Sequence, residues 1–409
     1  MLNAIWIAFF LGSFVIGIWK TIFANQPDIF VEMMRALFDM SKVGFEISLG
    51  LAGVMALWMG VMRIGEKGGF LVYITRFLAP LFKKLFPNIP ADHPALGSIV
   101  MNMSANALGL DNAATPLGLK AMHELQSLNP EKETASDAQI LFLVLNTSSV
   151  TLFPVTIFAY RAQQGALNPA DVFIPILIAT FVSTLVGLMA VAAYQKINLF
   201  DRVVVAYLGG LALVIISMVF YFSGLDRQSM QDQSARIANF LLFSVIVAFI
   251  LAATLKRENV YEAFIDGAKE GFQVAITIIP FLIAMLAAIG VFRASGALEL
   301  FLDLFRGIVS AVGGDLRFVD ALPTALMKPL SGSGARGMMV EAMQNFGADS
   351  FVGRLACVMQ GSTETTLYVV ALYLGSVKIR HSRYAIPCGL LADAAGIITA
   401  VLIAYLFFG

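Results

Sequence analysis

Residues 355–374 read LACVMQGSTETTLYVVALYL, twenty residues of which Glu364 alone is charged. An α-helix needs about 20 apolar residues to cross about 30 Å of hydrocarbon, so the segment has the length of a membrane span. Its centre, Gly-Ser-Thr-Glu-Thr-Thr at 361–366, brings a carboxylate and four hydroxyls to the middle of that span. Such groups persist at membrane depth only where protein or a watery cavity surrounds them. The stretch therefore predicts a membrane helix that is interrupted at its centre and faces other protein there.

The rest of the chain agrees. It is 59% hydrophobic and 13% charged, with a mean hydropathy of +0.82, whereas soluble domains run at about 45–50% apolar and about 25% charged. Apolar runs of this length exclude a β-barrel, whose strands alternate over about ten residues. The fold class is all-α and polytopic. Formal net charge is zero, so no basic surface points to nucleic acid; the expected partners are the lipid bilayer and a small-molecule substrate, with room for a homo-oligomer. Cys357 and Cys388 fall in predicted spans and read as small core residues. His93, His123 and His381 are scattered, which argues against a zinc centre. The run at 2–19 has no Lys or Arg before it and Lys20 after it, the wrong order for a cleaved signal, so it reads as a retained first span.

Nine spans are expected, at about 2–23, 43–63, 138–160, 171–195, 202–223, 235–254, 271–292, 352–376 and 384–408. Two further segments, 92–121 and 319–343, are apolar but interrupted by Gly, Pro, Asn, Ser and charges, and read as re-entrant hairpins. The basic, apolar stretches before them, such as LVYITRFLAPLFKKLF (71–86), read as amphipathic helices in the membrane interface. The larger share of the 27 Lys and Arg residues falls on one face, including Arg63, Lys67, Lys83, Lys84, Lys256, Arg257, Lys378, Arg380 and Arg383. That face should be cytoplasmic, with the N-terminus inside and the C-terminus outside.

The chain also repeats itself. KVGFEISLGLAGVMALWMGVMR (42–63) has its counterpart in KEGFQVAITIIPFLIAMLAAIGVFR (269–293). In each half an amphipathic stretch, a polar hairpin, a span broken by hydroxyls (NTSSVT at 146–151, GSTETT at 361–366) and a proline-bearing span around Pro175 or Pro387 follow. The extra span at 202–223 inverts one half relative to the other. This divides the chain into an N-terminal repeat (1–196), a connecting helix (197–234) and an inverted C-terminal repeat (235–409). Inverted repeats with broken segments at matching places point to a transporter's substrate site.

The candidate binding residues come from four segments. They are Ser104, Asn106, Asn112 and Thr115 of the first hairpin, then Asn146, Thr147 and Ser148 of the span facing it. From the second half come Ser331, Ser333 and Arg336 of the second hairpin, Gln360, Ser362, Thr363, Glu364 and Thr365 of its facing span, and Asp393 of the last span. For a single Ser or Thr the competing reading is a hydrogen bond that holds two helices together. For Glu364 it is a structural ion pair with Arg336 or Lys328, against a carboxylate that handles substrate or a proton. Neutral oxygens near Asn102, Asn106, Asn146 and Ser149 suit Na⁺, and coupling to Na⁺ or to H⁺ stays open. No cofactor is expected. GSGARG (332–337) matches G-x-G-x-x-G but lacks the strand before it and the Lys after it, so nucleotide binding is rejected. Its glycines and Arg336 would suit an anion, or simply a tight turn.

The motif NMSANALGLDNAATPLGLKAM (102–122) resembles the spore maturation protein A family. GSTETTLYVVALYLGSVKIRHSRYAIPCGLLADAAGI (361–397) resembles spore maturation protein B, so the chain looks like the fused form. The resemblance implies membership of the nucleoside-recognition, or gate-domain, group, which includes a domain of ferrous iron transporters and parts of concentrative nucleoside transporters. With the latter the likeness is architectural and carries over no individual binding residue. The resemblance implies no enzymatic activity, and no enzymatic motif appears. The function expected is a secondary transporter, conceivably an exporter, of a small polar or anionic metabolite in the bacterial cytoplasmic membrane. It would work by alternating access around a midplane site between the two hairpins and the two broken spans. The alternatives are a passive channel and a non-transporting factor for envelope or spore assembly.

Overall fold

The structure, a computed structural model, describes residues 2–90, 92–108, 111–148, 151–311 and 313–409. Among the described residues the only β-type pairing is an isolated bridge between Thr134 and His381. The first helices are α1 (Leu2–Phe23), α2 (Ile29–Lys67), α3 (Phe70–Leu85), α4 (Pro94–Ala107) and α5 (Asp111–Leu128). Next come α6 (Asp137–Thr147), α7 (Val155–Gln163), α8 (Phe173–Gln195), α9 (Arg202–Ser223) and α10 (Arg227–Leu255). They are followed by α11 (Val260–Ala294), α12 (Ala297–Ala311), a 3₁₀ turn (Val319–Ala321), α13 (Leu322–Met327) and α14 (Gly332–Phe346). The chain ends in α15 (Phe351–Gly361), α16 (Thr366–Ser376) and α17 (Ala385–Phe408).

Among the described residues seven helices are long and apolar enough to cross a membrane: α1, α2, α8, α9, α10, α11 and α17. The expected spans at 138–160 and 352–376 are each divided into two short helices, α6 with α7 and α15 with α16, and the hydroxyl clusters sit at the breaks. The expected spans at 43–63 and 271–292 are corrected: the helices run on to Ile29–Lys67 and Val260–Ala294. Their charged first turns fall below any hydropathy threshold, yet residues such as Glu32, Arg35 and Lys42 are good helix formers and the helix continues through them.

Both segments expected to be hairpins fold as helix pairs, α4 with α5 and α13 with α14. Local chemistry starts these helices. His93 accepts from the Ala95 amide ahead of Pro94 at the start of α4. Ser136 and Gln139 form a capping box at α6. Ser331 accepts from the Gly334 amide at 3.0 Å to start α14, so GSGARG is the opening of a helix. Each such cap satisfies amides that a helix start leaves without an intrahelical partner.

The order of elements repeats. A long helix, a short amphipathic helix, a helix pair, a broken helix and an unbroken one run from α2 to α8 and again from α11 to α17. Packing between α2 and α11 is reciprocal at equivalent positions. A side-chain carbon on Gly44 would come within 3.1 Å of Ile283 Cα, and one on Gly271 within 2.8 Å of Ala56 Cα. Gly44 aligns with Gly271 and Ala56 with Ile283, so one contact is the other with the helices exchanged.

Two compact units result. The first comprises Met1–Met59, Thr156–Pro169 and Ala268–Gln360; the second comprises Gly60–Val155, Ala170–Gly267 and Gly361–Gly409. The first holds α1, most of α2 and α11, α7 and α12 to α15. At its centre Met285, Ile289, Met327, Ala335 and Met338 pack together. The second holds α3 to α6, α8 to α10, α16 and α17, around a larger core that includes Ile99, Met122, Leu141, Phe142, Leu188 and Tyr373. Within it α8 and α17 lie close, because Gly187 meets Ala392, and Gly396 meets Ser183. α9 buries only Val204, Ile215 and Phe222, the pattern of a helix whose remaining surface faces lipid. Cys357 and Cys388 are buried and unbridged.

Candidate functional site

The predicted site residues fall into two groups. Ser331, Ser333, Arg336 and Gln360 belong to the first unit; Ser104, Asn106, Thr115, Asn146, Thr147, Ser148, Ser362, Thr363, Glu364, Thr365 and Asp393 belong to the second. Ser149 and the side chain of Asn112 lie outside the described residues.

In the second unit the two helix breaks meet. The Glu364 amide donates to the Thr147 carbonyl at 2.7 Å, joining the break after α15 to the end of α6. Both groups are orphans of interrupted helices, and each satisfies the other. Around this bond Thr147, Ser148, Ser362, Thr363, Thr365, Thr366 and Asp393 are buried, while the Glu364 side chain is exposed. Arg336 and Lys328, the ion-pair partners expected for Glu364, belong to the first unit.

The neighbouring groups form an ordered polar shell. Asn106 Nδ2 donates to Asn146 Oδ1 at 2.9 Å, and Asn146 Nδ2 to the Phe142 carbonyl at 2.9 Å. Asn102, with none of its surface exposed, donates to the Ala114 carbonyl at 2.7 Å and so ties α4 to α5. The Leu152 amide donates to the Ala107 carbonyl at 2.9 Å, fixing the first break against the end of α4. Ser104 Oγ donates to the Val100 carbonyl at 2.7 Å and receives Thr75 Oγ1 at 3.3 Å. Asn102 Oδ1, Thr363 Oγ1 and Thr366 Oγ1 are buried with no hydrogen-bond partner. An unmet polar atom of this kind costs about 1–3 kcal/mol, which sets these three oxygens apart from the satisfied groups of the shell. Thr115 is exposed on α5.

Two hydroxyls that the sequence reading passed over belong here. Thr184 Oγ1 donates to the Ser148 carbonyl, and Ser183 Oγ to the Ala392 carbonyl at 3.0 Å. Their adjacency in an otherwise apolar span was the available signal. Tyr373 is buried against Phe142, with ring centroids 5.8 Å apart.

The first unit holds a different arrangement. Ser331 caps α14 and its Oγ lies 3.3 Å from Ser333 Oγ. Glu341 is buried and pairs with Arg293, while Asn345 donates to its Oε1 at 2.8 Å. Gln360 Oε1 is buried without a hydrogen-bond partner. Arg161, fully buried, binds Asp349 Oδ1 at 3.1 Å and the Ala348 carbonyl at 2.7 Å, with further bonds to the Pro169 and Asn168 carbonyls. It ties the end of α7 to the start of α15. In the second unit Arg383, just before α17, binds Asp137 at 2.8 Å and ties the start of α17 to the start of α6.

The comparisons with known proteins fit this architecture. A family model described as nucleoside recognition (Gate) matches residues 48–163 and 275–380, together more than half of the chain. The chain belongs to this nucleoside-recognition Gate family. Spore maturation protein B of Bacillus subtilis (strain 168) is 46% identical over 165 residues, 40% of this chain and 91% of that protein. Spore maturation protein A of the same organism is 41% identical over 183 residues, 45% of this chain and 90% of that protein. Each covers part of the chain, as in a fusion of the two, and the resemblance expected from the motifs is borne out. No solved structure matches significantly.

Proposed function

We propose that the chain is a secondary-type transporter of a small polar or anionic metabolite, working by alternating access. The observation that supports this most is the meeting of two helix breaks at Thr147 and Glu364, with an exposed carboxylate above buried hydroxyls. Broken helices at equivalent positions of an inverted repeat are the usual construction of a transporter's binding site. In this reading the two broken helices complete nine crossings with the seven continuous ones. The N-terminus is cytoplasmic and the C-terminus external, in a bacterial cytoplasmic membrane.

Glu364 recognises the substrate or carries a coupling proton. Asn102, Asn106, Asn146 and Ser149 supply the oxygens for Na⁺ if sodium is the coupling ion. No covalent step is involved. A second reading takes its support from the relatives' names: a non-transporting factor in spore or envelope maturation, in which the same polar groups only hold helices together.

Thermal unfolding of the purified chain separates the two. The probes are nucleosides, small carboxylates and phosphate monoesters, each tested in Na⁺ and in K⁺. Transport predicts that at least one probe raises the unfolding temperature by mass action, and that Glu364→Gln removes the shift. A chain that responds to none, or responds equally in the variant, refutes the site.

A further inference from the structure

A cavity of about 300 Å³ opens between the end of α3 and the turn joining α8 to α9, lined by Lys84, Asn88, Gln195, Lys196, Asn198 and Asp201 among others. Its one lining carboxylate is committed. Asp201 Oδ1 accepts from the Val203 amide at 2.9 Å, capping α9, and Oδ2 meets Lys84 Nζ at 3.0 Å. The Val203 amide first, and Lys84 with it, hold this carboxyl below the usual range. Asn198 spends its carbonyl oxygen on the Phe200 amide at 3.0 Å, which leaves its NH₂ as a donor. Gln195 donates to the Asp137 carbonyl at 2.7 Å.

Lys196 is the unusual member. It ends α8 with φ 55°, in the left-handed region where glycine or asparagine costs less. Its side chain is exposed and forms no ion pair among the described residues. The same conformation recurs at Arg257 and Lys378 after α10 and α16, but Lys196 is the one that lines this cavity.

The cavity's place in the fold says what reaches it. α8 and α9 both have the length and composition of membrane spans, so the turn between them lies at headgroup level. Phe200, 91% exposed on that turn, has the placement of an interfacial aromatic anchor. α3 leaves Phe77 exposed two turns before Lys84. It is held to α9 by the bond from Tyr207 Oη to the Phe77 carbonyl, 2.5 Å.

We propose that this cavity binds the phosphate of an anionic phospholipid headgroup, with Lys196 as the charged contact and the amides of Asn198 and Asn88 as donors. Donors exceed free acceptors in the lining, and a phosphate offers only acceptors.

The test is thermal unfolding of the full-length chain in detergent, titrated with phosphatidylglycerol, phosphatidylcholine or inorganic phosphate. Phosphatidylglycerol should raise the unfolding temperature and phosphatidylcholine should not. Lys196→Gly relieves the backbone, so it should match or exceed the parent in unfolding temperature without lipid. It should nonetheless need about fivefold more phosphatidylglycerol for the same shift, the worth of one cation near the membrane surface. Lys196→Arg should behave as the parent. Equal responses of the parent and Lys196→Gly, equal effects of the two lipids, or no response to lipid at all would overturn the proposal. A Lys196-dependent response to inorganic phosphate alone would overturn lipid as the source. The readout is lipid binding and does not depend on transport.

Discussion

The Glu364 amide and the Thr147 carbonyl, 217 residues apart in sequence, satisfy each other at 2.7 Å where two interrupted helices meet. The bond involves backbone only. It leaves the Glu364 side chain free of the task of holding the break together, and that side chain is exposed.

Glu364→Gln should therefore fold as the parent does, with a stability change within about 0.5 kcal/mol, as for an exposed substitution that breaks no network. Substrate response should be lost. Thermal unfolding and ligand-induced shift on the same preparation read the two effects separately.

The reciprocal contact of α2 with α11 makes a second expectation. Alanine at Gly271 would place its Cβ 2.5 Å from the Met55 carbonyl oxygen and 2.8 Å from Ala56 Cα, both backbone atoms that cannot turn aside. Overpacking costs about 1–3 kcal/mol, more than the roughly 1 kcal/mol that alanine gains over glycine within a helix. Gly271→Ala should lower the unfolding temperature. Gly53→Ala, on α2 with nothing within 4 Å, should leave it unchanged or raise it.

Each unit has an Arg–Asp tie to the start of its broken helix, and the two ties differ in burial. Arg161 is wholly buried and its Asp349 partner is 27% exposed, whereas Arg383 and Asp137 are 41% and 38% exposed. Removing one partner of a buried pair costs about 3–5 kcal/mol, while an exposed pair contributes about 0–1 kcal/mol. Arg161→Ala should be strongly destabilising and Arg383→Ala nearly neutral in chemical or thermal unfolding.

Much of this was legible in the residues. Seven continuous spans followed from hydropathy, and the two breaks from hydroxyl clusters inside apolar runs, because lipid tolerates neither charge nor unpaired backbone. The helices at Ile29–Lys67 and Val260–Ala294 were read short, since their polar ends look like loops to a hydropathy window. Arg161 went unnoticed because its partner Asp349 lies 188 residues away, and nothing in the local sequence signals the pairing. The division of the site residues was hidden for a similar reason: Gln360 and Ser362 are neighbours in sequence, but their contacts assign them to different units.

The central claim is that Glu364 lies in a path open by turns to either side of the membrane. Its most direct test is a Glu364→Cys variant in which Cys357 and Cys388 are replaced by alanine. Membrane-impermeant maleimide is applied to right-side-out and to inverted vesicles. Alternating access predicts labelling from both sides; labelling from one side only, or from neither, contradicts it.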